Sequence, residues 1–394
     1  MKSYTALLAA ASAFTLSSAA YAADFGYDCC SDLEERVAEL EATTARKGNR
    51  KVSLTISGHV NQAVMFFDVD GQPNESNAYV GTNSQDASLV TFEGSADINA
   101  DWSAGFLMEF EISSNSLSSA SQNSTGSNDG VGISYEALYI SSKTYGTIWL
   151  GTYDDAIDGI TEISLAGGMG SGPDFSNETA AFITNDGTTT FTDVGSSIGE
   201  SVGDGDTHQI VRYISPTFAG FVISAAAGND DLWNASINYE GEIGAFKFAA
   251  GLGYGQDTTG TNEPNEKLGM SASIMHSPSG LYLTGAYGQD KIGDAVDDPN
   301  RGGSNDTDTM WLIHAGIDRE FFSVGSTNIW AQYNINDRDV GQASNLDMYG
   351  FGVSQNIDAA AMELYVYYKH FDAEISDQDV GDLDVVVTGA VIKF

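Results

Sequence analysis

The sequence predicts an all-β chain closed into one transmembrane barrel, on three observations. Many short segments alternate apolar and polar residues with a period of two and are separated by Gly/Asn/Asp/Ser clusters. The connections between them are alternately long and brief, except that the one at 229–230 is short, as in barrels with long loops at one rim and tight turns at the other. The last segment, 383–394, is an apolar strand that stops on Phe394. Such an end frays in water, whereas in a barrel it pairs with the first strand. An aromatic there also suits a membrane interface.

The first residues have the three parts of an export signal. Lys2 gives the positive start, Ala6 to Leu16 the apolar stretch and Ala20-Tyr21-Ala22 a small-residue cleavage site, so residues 1–22 are expected to be removed. Beyond them no apolar run reaches the roughly 18 residues of a membrane helix. Cys29 and Cys30 are adjacent and the only cysteines. They are too few for a metal site and either stay inert or cross-link subunits.

Residues 23–51 form a separate segment. Leu33, Val37, Leu40 and Thr44 recur at coiled-coil spacing among Glu34, Glu35, Arg36, Glu39 and Glu41. Two heptads are too short to associate alone, so this expected helix needs an oligomer assembled elsewhere; a loose solvated helix is the alternative.

The barrel proper is expected over 52–394. Its sixteen candidate strands are 52–67, 87–99, 102–113, 132–143, 146–153, 207–216, 219–228, 231–240, 244–255, 266–276, 279–288, 307–318, 326–336, 346–357, 360–371 and 383–394. Long polar loops fall at 68–86, 114–131, 154–206, 256–265, 289–306, 337–345 and 372–382. An even strand count places both ends on the side of the brief turns. In 102–113 the apolar Trp102, Ala104, Phe106, Met108, Phe110 and Ile112 share one face. In 360–371 Met362, Leu364, Val366 and Tyr368 oppose Glu363, Tyr365, Tyr367 and Lys369. A soluble sandwich shows the same period with the opposite sense, so the faces alone leave the sense open; the loop asymmetry and Phe394 favour apolar residues outward.

Net charge is −39, from 55 acidic and 16 basic residues. Nucleic acid is excluded as an ordinary partner, because phosphate binding needs Lys and Arg. The excess fits either simple solubility or an acidic conduit that favours cations.

Several stretches together resemble the general porins of alphaproteobacterial outer membranes. They are Asp32 to Glu41, similar to a stalk in one branch of that family; Val52 to Gly58 with Asn61, similar to its first strand; and Tyr213 to Phe221, similar to a tight turn common to Gram-negative porins. The fourth is Phe394, which resembles the terminal aromatic read by the barrel-assembly machinery. The resemblance implies a sixteen-stranded barrel, a homotrimer, a setting of outer-membrane lipid and lipopolysaccharide, and passive diffusion of small hydrophilic solutes. It also implies that the loop after the fifth strand folds into the lumen.

That loop, 154–206, carries Asp154, Asp155, Asp158, Glu162, Asp174 and Glu178 among eleven acidic residues and no Lys or Arg. Its glycines at 167, 168, 170 and 172 permit close bending. They lack the spacing of a nucleotide-binding loop, and no cofactor is expected. No ordered ligand spacing assigns a metal, so calcium would only bridge carboxylates. A solvated external loop is the plainer alternative. Arg212, Lys247 and Lys369 are the wall cations expected on strand faces, since a basic residue facing lipid at mid-depth costs about 2–4 kcal/mol. Strands two to four offer Glu93, Asp97, Glu109, Glu111 and Glu136 as inward carboxylates. A carboxylate ring with few cations attracts cations.

An enzyme needs convergent groups, and the five histidines are dispersed over different strands, so none is expected. A sugar-specific channel is the stronger rival, with Tyr365 and Tyr367 as candidate aromatic contacts.

Overall fold

The computed structural model describes residues 52–70, 78–123, 130–173, 179, 181–195, 202–229, 231–258, 265–291, 307–338, 344–376 and 378–394. The export signal, the Cys29–Cys30 pair, the stalk helix, Asp174 and Glu178 lie outside them.

The chain forms one closed antiparallel sheet. Its segments are β1 (Ser53–Val69), β2 (Ala78–Gly81), β3 (Ser88–Asp97), β4 (Trp102–Ser113), β5 (Gly130–Ser142), β6 (Gly146–Asp154), β7 (Thr207–Ile214), β8 (Phe221–Gly228) and β9 (Trp233–Ile243). They continue as β10 (Phe246–Asp257), β11 (Asn265–His276), β12 (Leu281–Lys291), β13 (Thr307–Phe322), β14 (Gly325–Arg338), β15 (Ser344–Ile357), β16 (Met362–Ile375) and β17 (Gln378–Lys393). From β3 onward each strand pairs with its sequence neighbour, and β17 closes on β1 with Asn61 opposite Val391 and Val69 opposite Leu383. Phe394 adds a reciprocal backbone pair with Gly58: its N–H donates to Gly58 O (2.9 Å) and its carbonyl accepts from Gly58 N–H (3.0 Å).

Seventeen segments occupy sixteen positions, because β2 and β3 both lie along β1. β2 pairs with Ala63 to Phe66 and β3 with Ser53 to His59. Between them a 3₁₀ turn (Ser84–Asp86), capped by Asn83 Oδ1, which accepts from Gln85 N–H (3.1 Å), leaves the sheet. Side chains replace the lost ladder bonds. Asn61 Nδ2 donates to Asp86 O (2.7 Å), and Asn83 Nδ2 donates to the Tyr365 hydroxyl (3.1 Å). The sequence places this stretch in a loop, as its Gly81-Thr82-Asn83 run suggests; the added β2 makes the second strand a broken one.

The sense of the faces is that of a membrane barrel. Val60, Leu150, Ile223, Leu283, Ile313 and Val366 are exposed on the outer face. The inner face buries Asn61, Asn234, Ser271, Thr284, Gln332 and Ser354. This inverts a soluble fold, where apolar area turns away from solvent.

Candidate functional site: the loop-filled lumen

The segment after β6 runs across the inner wall. Ala156 N–H donates to Asn234 Oδ1 on β9 (2.8 Å), Ile163 N–H to Ser271 Oγ on β11 (3.2 Å) and Leu165 N–H to Ser273 Oγ (3.1 Å). Met169 N–H then reaches Ser354 Oγ on β15 (3.2 Å), and Gln332 on β14 bonds both the N–H and the carbonyl of Gly172 (3.0 Å each). Further on, Phe182 packs edge-on against Phe67 of β1, and helix α1 (Phe191–Gly195) lies by β14 to β16, where Ser344 Oγ donates to Val194 O (2.6 Å). The return leg 202–206 crosses to β12, where Gly203 N–H donates to Asp290 Oδ1 (2.8 Å). Polar side chains of the inner wall, Asn234, Ser271, Ser273, Gln332 and Ser354, thus dock the backbone of the loop.

Two buried carboxylates tie the legs at their root. Asp155 Oδ1 accepts from the N–H groups of Ile157 (2.9 Å) and Asp158 (3.0 Å), with His208 Nε2 at 3.8 Å from its other oxygen. Burial raises the Asp155 pKa, while the Ile157 N–H, His208 and Lys267 pull it down. Asp204 accepts from Ile160 N–H (2.9 Å) and from the Thr161 hydroxyl (2.6 Å). Burial raises its pKa too, and the nearby Glu162 charge adds to the rise. Lys267 of β11 donates to Asp204 O (2.8 Å) and stands 3.9 Å from Asp290. Sequence reasoning missed Asp204, Lys267 and Asp290 as a set, because the pairing joins residues far apart in sequence.

The expected site residues fall as follows. Asp154 ends β6 and accepts from the Tyr135 and Thr207 hydroxyls (3.0 Å each). Asp158 and Glu162 are half-buried on the first leg, and Glu162 borders a hollow of the lumen with Gln85, Ser164, Thr284 and His314. Glu93, Asp97, Glu109 and Glu111 share the inner face, opposite Leu107, Ser103, Thr91 and Leu89; Glu109 accepts from Thr91 Oγ1 (2.8 Å). Glu136 does not join them. It pairs with Met108 and Thr152 on the outer face. Ser134 is an extra residue in β5, since Glu109 faces Tyr135 while Phe110 faces Ile133. This bulge reverses the alternation.

Arg212, Lys247 and Lys369 all lie on the inner face, in different states. Arg212 is 4% exposed; its Nε donates to Ser224 Oγ (2.9 Å), its Nη1 to Asp154 O (3.1 Å), and its guanidinium sits 5.8 Å from the Tyr153 ring centre. Lys369 is fully buried, 5.5 Å from the Tyr367 ring centre. Lys247 stays solvated near the turn end of β10, 3.7 Å from Glu242. The histidines stay dispersed: His59 pairs with Asp86, His208 with Asp155 and His370 with Asp384, while His314 meets Tyr282.

A closed barrel with an apolar outer face, a polar inner face and a loop docked inside it has the build of a membrane pore. A family model for Gram-negative porins matches residues 6–376. The chain belongs to the Gram-negative porin family. No curated protein matches it. Among solved structures it resembles an anion-selective porin from Comamonas acidovorans, with a TM-score of 0.58 at 15% identity, over 87% of this chain and 100% of that one. It also resembles the outer membrane channel DcaP of Acinetobacter baumannii, with a TM-score of 0.58 at 10% identity over 89% and 100% of the two chains. OmpT, an outer membrane protein of Vibrio cholerae, follows with a TM-score of 0.56 at 11% identity over 89% and 99%. At these identities the likeness concerns the fold.

Proposed function

We propose that the chain forms a water-filled pore in the outer membrane of a Gram-negative cell, open to small hydrophilic solutes and ions by passive diffusion and preferring cations. The observation that carries the preference is the charge balance of the inner surface. Asp158 and Glu162 on the loop, and Glu93, Asp97, Glu109 and Glu111 on the wall, stand against Lys247, the solvated one of the three expected wall cations, while Lys267 and Arg338 on the same face are engaged by the loop backbone at Asp204 O and Asp193 O. Arg212 and Lys369 are withdrawn from water, so their charges are spent on local partners instead of on passing ions. Asp174 and Glu178 add to the acidic loop in this reading. Anion selectivity belongs to the Comamonas protein named above; the present charge set favours the opposite sign. One solved form of the Vibrio protein is a trimer, which supports a homotrimer here, set in lipid and lipopolysaccharide and inserted by the barrel-assembly machinery acting on Phe394. Removal of residues 1–22 on export, with 23–51 as a stalk on the turn side, completes the proposal. No enzymatic step is assigned.

A sugar-specific channel is the second reading, favoured by inward aromatics. Tyr139 and Trp149 lie 4.6 Å apart, Trp149 stacks on Tyr153 at 4.2 Å, and Tyr365 stacks near Tyr367 at 6.1 Å. Trp149, Tyr153, Tyr365 and Tyr367 are each at most 8% exposed, so their faces are largely occupied by one another and by the loop. That favours the general pore. Swelling of liposomes carrying the full chain tests it: uptake that falls smoothly with solute size supports diffusion. Conductance blocked saturably by one sugar would overturn it.

A further inference from the structure

His314 is set apart from the other histidines. His59, His208 and His370 stand beside carboxylates, and His276 meets the Ser279 hydroxyl. His314 is 2% exposed on the inner face of β13, and its neighbour is a phenol. A chain of bonds fixes which ring nitrogen carries its proton. Asn328 Nδ2 donates to Asp318 Oδ2 (3.3 Å), which turns Asn328 Oδ1 toward Tyr282. The Tyr282 hydroxyl gives its single hydrogen to that oxygen (3.1 Å). Toward His314 Nε2, 3.1 Å away, Tyr282 therefore presents a lone pair, and Nε2 must be the N–H. Nδ1 is left as a bare lone pair with no hydrogen-bond partner among the described residues.

His314 lines the same hollow of the lumen that Glu162 borders, with a volume of about 40 Å³. That exceeds the roughly 10–15 Å³ one water needs. Three hydroxyls on its rim have given their hydrogens away. Thr161 donates to Asp204 Oδ2 (2.6 Å), Ser164 to Ala166 O (2.5 Å) and Ser171 to Gly168 O (2.8 Å). A hydroxyl has one hydrogen, so these oxygens offer only lone pairs to a guest. The Glu162 carboxylate and His314 Nδ1 add two stronger acceptors. A hollow edged in this way receives a cation.

We infer that it takes a divalent transition-metal cation of the zinc class, with His314 Nδ1 and the Glu162 carboxylate as protein ligands and water in the remaining positions. Imidazole suits zinc, copper and nickel, whereas calcium and magnesium take oxygen ligands. Tyr282, Asn328 and Asp318 stand behind His314 as outer partners stand behind a metal-bound histidine, orienting the ring and fixing its tautomer. Two protein ligands are fewer than the three or four of a resident zinc site. The ion is therefore held loosely enough to move on, as conduction requires. The site presupposes the cation-admitting pore proposed above and names a class of ion that lingers in it.

Single-channel records of the full chain in potassium chloride, with zinc chloride added in steps, test the site. Zinc should reduce the open current reversibly, a chelator should restore it, and magnesium at the same concentration should leave it nearly unchanged. Block is scaled to each variant's own zinc-free current, which also reports that the variant has inserted. His314→Gln should raise the half-blocking zinc concentration by about 100-fold. Tyr282→Phe, which keeps the imidazole but removes the oxygen that takes its Nε2–H, should raise it by about tenfold. Equal block of the native protein and His314→Gln would overturn the site. So would equal block by magnesium, which signals charge screening alone. Calorimetry of zinc with the detergent-solubilised chain reads binding without conduction. Zinc heat that His314→Gln removes, in a chain that carries no current, would keep the site and overturn the pore. A conducting chain that gives no zinc heat would keep the pore and overturn the site.

Discussion

At the scale of residues, Asp204 shows how a buried charge sets the strength of a docked loop. Docking moves its carboxyl out of water, which raises its pKa, and Glu162 raises it further. The docked state therefore binds protons more readily than the released one. Its stability is fullest below the ordinary carboxylate range and declines as pH rises through the raised value. The amides of Ile160 and Thr161, which donate to Asp204, should lose exchange protection as pH rises, after correction for intrinsic exchange. Asp204→Asn should remove that dependence; an equal slope in both proteins would contradict it. Arg212 offers a second expectation. Its guanidinium serves Ser224 and the Asp154 carbonyl, so Arg212→Met should lower stability by about 1–3 kcal/mol in urea unfolding by leaving those groups unpaired, with ion preference nearly unchanged. Legibility also had its limits at this scale. Inward Tyr365, Tyr367 and Lys369 follow from strict alternation along 360–371. Glu136 does not, because phase carried from Val131 and Ile133 is reversed by one extra residue, Ser134, and no composition cue marks such a bulge.

At the scale of elements, strands were readable and the inward loop was implied by the family resemblance, but the path the loop takes across the wall was not. Strand 102–113 coincides with β4, because the apolar residues Trp102, Ala104, Phe106, Met108, Phe110 and Ile112 hold one face at every second position. The path of the loop depends on wall hydroxyls and amides such as Ser271, Thr284 and Gln332, whose polarity in sequence says only that they avoid lipid. The return leg depends on close backbone approach. Gly203 has φ +77°, and a Cβ there would collide with the Leu268 carbonyl oxygen and Gly288 Cα. Gly203→Val should therefore lift the return leg from β11 and β12. Single-channel records should show a changed open current with added noise; a trace identical to the native one would contradict this account of the docking.

At the scale of the molecule, sixteen positions, a polar interior and an apolar exterior follow from period-two alternation and the spacing of connections. Alternation alone leaves the sense of the faces open; the loop asymmetry and Phe394 favour the apolar face outward, and the exposed Val60, Leu150 and Ile223 have it so. The net charge of −39 gains meaning only once its members are placed, since selectivity depends on which charges meet water inside the barrel. Glu162→Gln should reduce cation preference, as the carboxylate bordering the lumen hollow loses its charge. The most direct measurement of the central claim is the reversal potential across a planar bilayer holding the native protein in a potassium chloride gradient. A potential of the sign set by potassium, which collapses toward zero as salt is raised and the charges are screened, is the predicted result. A potential of the sign set by chloride would contradict the account.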